Sequence, residues 1–92
     1  MTESKVVLIT GAARRIGAVT AKLFHEIGYR VVIHYNRSAS EADRLCEELN
    51  HIREDSCFMI QADLNSAEGI NSISDLAFNL GRLDVLVNNA SS

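Results

Sequence analysis

The segment Lys5 to Gly17, KVVLITGAARRIG, restricts the fold more than any other part of the chain. Its first half is a short, nearly unbroken apolar run rich in β-branched residues, the pattern of a strand buried on both faces. Glycine follows at once. From Ile16 the spacing changes: Ile16, Val19, Thr20, Leu23, Phe24 and Ile27 recur at steps of three and four. That period predicts a helix with one apolar face turned toward the core. Gly28 is placed to end the helix in the left-handed conformation. The opening of the chain therefore reads as strand, glycine turn, helix.

The same unit recurs. Arg30 to Tyr35, RVVIHY, is a second strand, and Ala42, Leu45, Cys46, Leu49 and Ile52 mark a second amphipathic helix. Ser38 with Glu41, and Ser40 with Asp43, have the spacing of capping boxes at its start. A third strand is predicted over Cys57 to Gln61. A third helix follows, capped by Asn65 or Ser66, with Ile70, Ile73, Leu76, Ala77 and Leu80 as its buried stripe and Gly81 after its end. Arg82 to Asn88, centred on DVLV, gives a fourth strand. Strands alternating with helices imply right-handed crossovers and a parallel sheet. The fold class is α/β: a Rossmann-like doubly wound sheet, of which residues 1–92 form the N-terminal portion with about four strands and three helices. A fourth strand with no helix after it leaves an apolar edge, so the sequence is expected to belong to a longer polypeptide.

Bulk properties narrow the function classes. With 92 residues, 47% of them hydrophobic, and a net charge of −3, the chain can build an ordinary core. An acidic balance without a run of Lys or Arg gives no electrostatic footprint for nucleic acid. Apolar runs such as Val6 to Ile9 fall far short of the roughly 20 residues a bilayer needs, and MTESK has no signal-peptide layout. No membrane association is expected. Cys46 and Cys57 match neither a CxxC pair nor a zinc spacing with His25, His34 or His51, and no metal site is predicted. They read as packing thiols of a reducing compartment, which suggests a cytoplasmic protein.

The residues that carry chemistry gather at strand ends. Gly11 and Gly17 bracket the first strand-to-helix turn, where free N–H groups and the helix dipole make a seat for phosphate; the plain alternative is that they only shape the turn. Arg14 and Arg15 stand where the dipole disfavours cations by about 0.3–1 kcal/mol each. A phosphate would reverse that balance, since a charged hydrogen bond contributes about 1.5–3 kcal/mol. Solvated surface arginines are the other reading, and Arg14 stays open between the two. After the second strand, where an acidic residue usually takes the ribose of NAD, the chain offers Asn36, Arg37 and Ser38. Arg37 can pair with a 2′-phosphate and Ser38 can donate to it, which favours NADP(H). His34 reads as a packing residue with no catalytic role. Asp63, in QADL after the third strand, can accept a hydrogen bond from an adenine amino group or cap the next helix. Asn88 to Ser92, NNASS, brings amides and hydroxyls to the same edge, as any polar loop would.

With these residues placed, the chain resembles the N-terminal part of the short-chain dehydrogenase/reductase family, and within it the pteridine reductases. TGAARRIG stands where the family carries Thr-Gly-x-x-x-Gly-x-Gly, so Arg15 replaces the middle glycine, as it does in that branch. HYNRSA, QADLN and NNASS complete the pattern over the whole chain. The resemblance implies cofactor contacts from Gly11, Arg15, Ile16, Gly17, Tyr35, Asn36, Arg37, Ser38, Asp63, Leu64, Asn89, Ala90 and Ser91. It implies that Arg15 and Ser91 also touch substrate. The implied activity is NADPH-dependent reduction of a pterin or dihydrofolate-like small molecule, by a homotetramer. The family's catalytic Tyr-x-x-x-Lys and its partner Asp have no counterpart in these residues, so this segment is expected to hold cofactor without turnover. Two alternatives fit the same fold: a reductase of another carbonyl or acyl-carrier substrate, and a non-catalytic nucleotide-binding module.

Overall fold

A computed structural model describes residues 4–12 and 15–89. The strands β1 (Val6–Ile9), β2 (Arg30–Tyr35), β3 (Cys57–Gln61) and β4 (Val85–Val87) form one parallel sheet in the order β3-β2-β1-β4. Helices α1 (Arg15–Glu26), α2 (Ala39–Ile52) and α3 (Ala67–Leu80) connect them. Side chains alternate across a strand, and the two faces of the sheet are filled by different helices. Val7, Ile9, Val31 and Ile33 pack with Ala21, Ala42, Leu45 and Leu49 of α1 and α2. Val6, Leu8 and Val32 face Ile73, Leu76 and Leu80 of α3. The chain moves outward from β1 to β3 and then returns to the other side of β1. That reversal lies at the carboxyl ends of β1 and β4, where ligands bind in open α/β sheets.

Helix ends follow the predicted glycines. The Gly28 N–H donates to the His25 carbonyl and the Tyr29 N–H to that of Phe24, closing α1 in a Schellman motif with Gly28 at φ 104°. The Phe24 and Tyr29 rings, 5.0 Å apart edge to face, supply its apolar contact. Gly81 is left-handed after α3, and Ser66 caps α3 by accepting from the Gly69 N–H. At α2 the expected capping box is not formed: Ser38 is the N-cap residue, but its side chain makes no capping hydrogen bond.

The predicted stripe of α1 is rotated from its expected position, whereas those of α2 and α3 pack inward as expected except at Ile52 and Ile70. In α1 the buried line is Gly17, Ala21 and His25, whereas Ile16 and Ile27 are 74% and 71% exposed, with Val19 and Leu23 beside them. Gly17 and Ala21 take the inner face at the start of α1 because the helix must approach the turn after β1 more closely than branched side chains allow, and His25 is held inside at its other end by Ser56. In α3 the buried position is Gly69, where a Cβ would stand 2.1 Å from the Asp63 carbonyl oxygen, so Ile70 faces outward. Ile52, at the last turn of α2, is also exposed. The fourth strand is shorter than predicted and lies at an edge. Asp84 holds its start by accepting from the Val6 N–H at 2.8 Å, and the Arg82 guanidinium keeps the Asp84 carboxyl below its ordinary range.

Beneath the opposite edge lies a buried polar cluster. His25 Nε2 is 2.6 Å from Ser56 Oγ, whose hydroxyl reaches the carbonyls of Leu49 and Arg53. Arg53 donates to the carbonyls of His25 and Tyr29 and so caps the end of α1. Cys46 and Cys57 are buried free thiols, pushed up from the ordinary thiol range by burial, as packing residues should be. Burial, then the Arg53 charge, lowers the His25 pKa below 6.5. The unfolded chain therefore takes up a proton that the folded chain resists. Stability is complete above about pH 6.5 and declines as pH falls from there toward the folded value. Denaturation midpoints at pH 7.5 and pH 5.5 are expected to differ less in His25→Gln than in the unaltered chain. Equal slopes would remove His25 as the cause.

Candidate functional site

Parallel strands deliver all their carboxyl ends to one edge, and there those predicted site residues that are described meet. Register places Ile9 beside Ile33 and Val87, and Tyr35 beside Gln61. The turn after β1, Asn36 to Ser38 after β2, Ala62 to Leu64 after β3 and Asn88 with Asn89 after β4 are thus neighbours across the edge. Ala13, Arg14, Ala90, Ser91 and Ser92 lie outside the described residues.

The turn is stitched from both sides. Thr10 N–H donates to the Val87 carbonyl at 3.0 Å, and Thr10 Oγ1 accepts from the Asn89 N–H at 2.9 Å. Asn89 Nδ2 donates to the Gly11 carbonyl at 3.2 Å. On the other side, the Gly11 N–H donates to His34 Nδ1 at 3.0 Å and the Ala12 N–H to the His34 carbonyl at 3.1 Å. This changes the expected phosphate seat. The amides of Gly11 and Ala12 are committed to β2, so among the described residues the N–H groups left for an anion here are those of the first turn of α1, from Arg15, Ile16 and Gly17. Gly11 itself sits at φ 62°, a left-handed conformation that glycine adopts without steric cost.

Arg15 has φ 52°, also left-handed. For a residue with a Cβ that conformation costs roughly 1–2 kcal/mol, and its cation adds the dipole penalty at the start of α1. Arg15→Gly is therefore expected to raise the unfolding free energy by about 1 kcal/mol, read as a higher urea midpoint. A midpoint that stays or falls would show that the strain is absent. Arg15 makes no hydrogen bond or ion pair among the described residues, so nothing in them repays its position.

At the end of β2, Arg37 is exposed and likewise without an ion pair among the described residues. The neighbouring Ser38 hydroxyl is not used to cap α2. Asn36 is tied to β3, accepting from Gln61 Nε2 through both its carbonyl and its Oδ1. Tyr35 packs against the core on the α1 and α2 face. Asp63 forms a local turn: Oδ1 accepts from the Asn65 N–H at 2.9 Å, and its carbonyl accepts from the Ser66 N–H and hydroxyl. The carboxylate thus shapes the approach to α3 and retains Oδ2 for an outside donor. Leu64 is half-buried beside it.

His34 is the residue that sequence reasoning underestimated. Its second nitrogen, Nε2, lies 2.8 Å from the Ala62 carbonyl, so the ring joins the loops after β1 and β3. The available signal was a histidine at the penultimate position of a buried central strand, where a ring with two nitrogens can serve both neighbours. Among the described residues no cluster of three His, Cys, Asp or Glu could hold a metal, and no helix is long and apolar enough to cross a membrane.

Among the described residues this edge presents two guanidiniums without a partner, a helix N-terminus, a hydroxyl and a carboxylate, a set suited to an extended anionic nucleotide. Comparison with known proteins identifies the family. The short chain dehydrogenase family model matches residues 5–92. The chain is 40% identical to pteridine reductase 1 of Leishmania tarentolae over 105 aligned positions, covering 95% of this chain and 36% of that protein. It is 40% identical to the 3-oxoacyl-(acyl-carrier-protein) reductase FabG of Staphylococcus aureus over 91 positions, covering 98% of this chain and 37% of the relative. The short chain dehydrogenase mdpC of Emericella nidulans is 34% identical over 89 positions, with 96% and 33% covered. The chain spans about a third of the length of these relatives. A match over nearly every residue, on a parallel sheet whose glycine turn opens the first helix, makes this chain a member of the short-chain dehydrogenase family.

Proposed function

We propose that the carboxyl edge binds NADP(H) and that the chain is the cofactor-holding part of a cytoplasmic, homotetrameric reductase of a pterin-like substrate. One observation carries the cofactor reading: β2 ends in Arg37, without an ion pair among the described residues, beside a Ser38 hydroxyl that does not cap α2, with no carboxylate among Asn36, Arg37 and Ser38. A 2′-phosphate would supply the missing anion. Arg15, Ile16 and Gly17 would take the pyrophosphate at the start of α1. Asp63 and Leu64 would border the adenine, and Asn89, Ala90 and Ser91 the ribose and nicotinamide side. When bound, the cofactor supplies the hydride; these residues orient it.

Arg15 supports the pterin reading, because a cation kept in a strained backbone conformation needs a ligand to balance it, and a site between cofactor phosphate and substrate provides one. A second reading has its own support. The alignment to the pteridine reductase runs over 105 positions, more than the 92 of this chain, whereas that to the acyl-carrier reductase runs over 91. The alignment to the acyl-carrier reductase therefore carries fewer gaps.

Calorimetric titration of the chain with adenosine 2′,5′-bisphosphate and with adenosine 5′-diphosphate tests the cofactor reading. The 2′-phosphate is expected to tighten binding by about tenfold. Equal affinities would overturn NADP(H) in favour of NAD(H). For the substrate, a pterin that binds only to the NADP-loaded chain supports the first reading. An acyl thioester that does so instead supports the second.

A further inference from the structure

We infer that His34 is a positioning residue, locking the turn after β1 to the loop after β3 so that the pyrophosphate and adenine ends of the binding edge are held at a fixed separation. The inference rests on the proposal that this edge binds a dinucleotide. His34 is 3% exposed, on the central strand between β1 and β3. Its Nδ1 faces the Gly11 N–H at 3.0 Å and its Nε2 the Ala62 carbonyl at 2.8 Å. An N–H can only donate and a carbonyl can only accept, so both contacts require one form of the ring: neutral, with the proton on Nε2. The His34 carbonyl adds a third bond, from the Ala12 N–H.

Each anchor adjoins a residue of the proposed site. Gly11 begins the turn that leads to Arg15 and Gly17, and Ala62 directly precedes Asp63. Among the described residues no other side chain joins these two loops. Asn89 and Thr10 brace the turn toward β4. A ligand that contacts both loops would lose affinity if their separation were free to vary, because it would have to fix that separation on binding. A ligand that contacts one loop would not.

Two nucleotides separate these cases: adenosine 2′-phosphate, which reaches only the β2 and β3 ends, and adenosine 2′,5′-bisphosphate, whose 5′-phosphate also reaches the start of α1. In the unaltered chain the 5′-phosphate adds affinity. In His34→Leu that added affinity is expected to fall by about tenfold, with adenosine 2′-phosphate bound as before. His34→Gln, which offers an acceptor and a donor, is expected to recover most of it. A His34→Leu chain that keeps the full gain would overturn the inference and leave the cofactor reading standing. So would a proportional loss for both ligands that Gln does not rescue. An unaltered chain that binds neither nucleotide would overturn both. Amide exchange at Gly11 in the unaltered chain is a second readout that does not depend on a variant folding. Slow exchange is expected, and fast exchange would show that the His34 contact is not made.

Discussion

Gly17→Ala is expected to destabilise the chain by about 1–3 kcal/mol and to abolish measurable nucleotide binding. A Cβ at position 17 would stand 2.6 Å from the Gly11 carbonyl oxygen, 2.8 Å from Ala12 Cα and 2.6 Å from Asn89 Nδ2. Two of these three atoms are backbone, so rotating a side chain cannot relieve the contact. Either α1 moves away from the sheet or the turn moves toward β4. The first uncovers Ile9 and Ile33, which Ala21 helps to cover. The second breaks the Asn89 bond to Gly11. Both displace the N–H groups at the start of α1 from the strand ends, so binding should suffer more than folding does. A urea melt and a nucleotide titration on the same sample check the two effects. An alanine variant that melts and binds like the parent would show that helix and turn do not approach this closely.

That close approach also explains what the sequence could and could not reveal. The strands were legible because runs such as VVLI and VVIHY are short, β-branched and bounded by turn residues, and every face of a central parallel strand is buried. Gly28, Ser66 and Gly81 were legible because the ends they form are local. The inner face of α1 was not. Periodicity selects the most apolar stripe, which contains Ile16, Val19, Leu23 and Ile27, but the helix turns Gly17 and Ala21 inward because distance to the turn, not hydrophobicity, decides there, and His25 is held inside by Ser56. Gly69 takes the inward place at the start of α3 for the same reason and leaves Ile70 outside, while Ile73, Leu76 and Leu80 pack inward as expected. In the candidate site, the placement of Arg37 after β2 and of Asp63 after β3 was legible from the strand pattern. The spending of the Gly11 amide on His34 was not, since it depends on a ring in a neighbouring strand 23 residues away.

The other large effect is expected at Arg37, where Arg37→Ala should weaken adenosine 2′,5′-bisphosphate while leaving adenosine 5′-diphosphate unchanged. A guanidinium to phosphate contact contributes about 1.5–3 kcal/mol, which corresponds to roughly ten- to a hundredfold or more. Arg37 is exposed, and solvent screens such a pair, so about tenfold is expected. The loss should shrink further with added salt, because both partners face water. Arg37→Glu should go beyond alanine, since a carboxylate repels the 2′-phosphate and can accept from the free 2′-hydroxyl of the unphosphorylated nucleotide. The preference would then invert, with adenosine 5′-diphosphate the tighter ligand. Ser38→Ala offers the internal comparison. Its hydroxyl does not cap α2, so its removal should reduce 2′-phosphate binding with no shift in the urea midpoint. If Arg37→Glu left the ratio of the two affinities where it was, the end of β2 would not be reading the 2′ position, and the assignment of NADP(H) would fail with it.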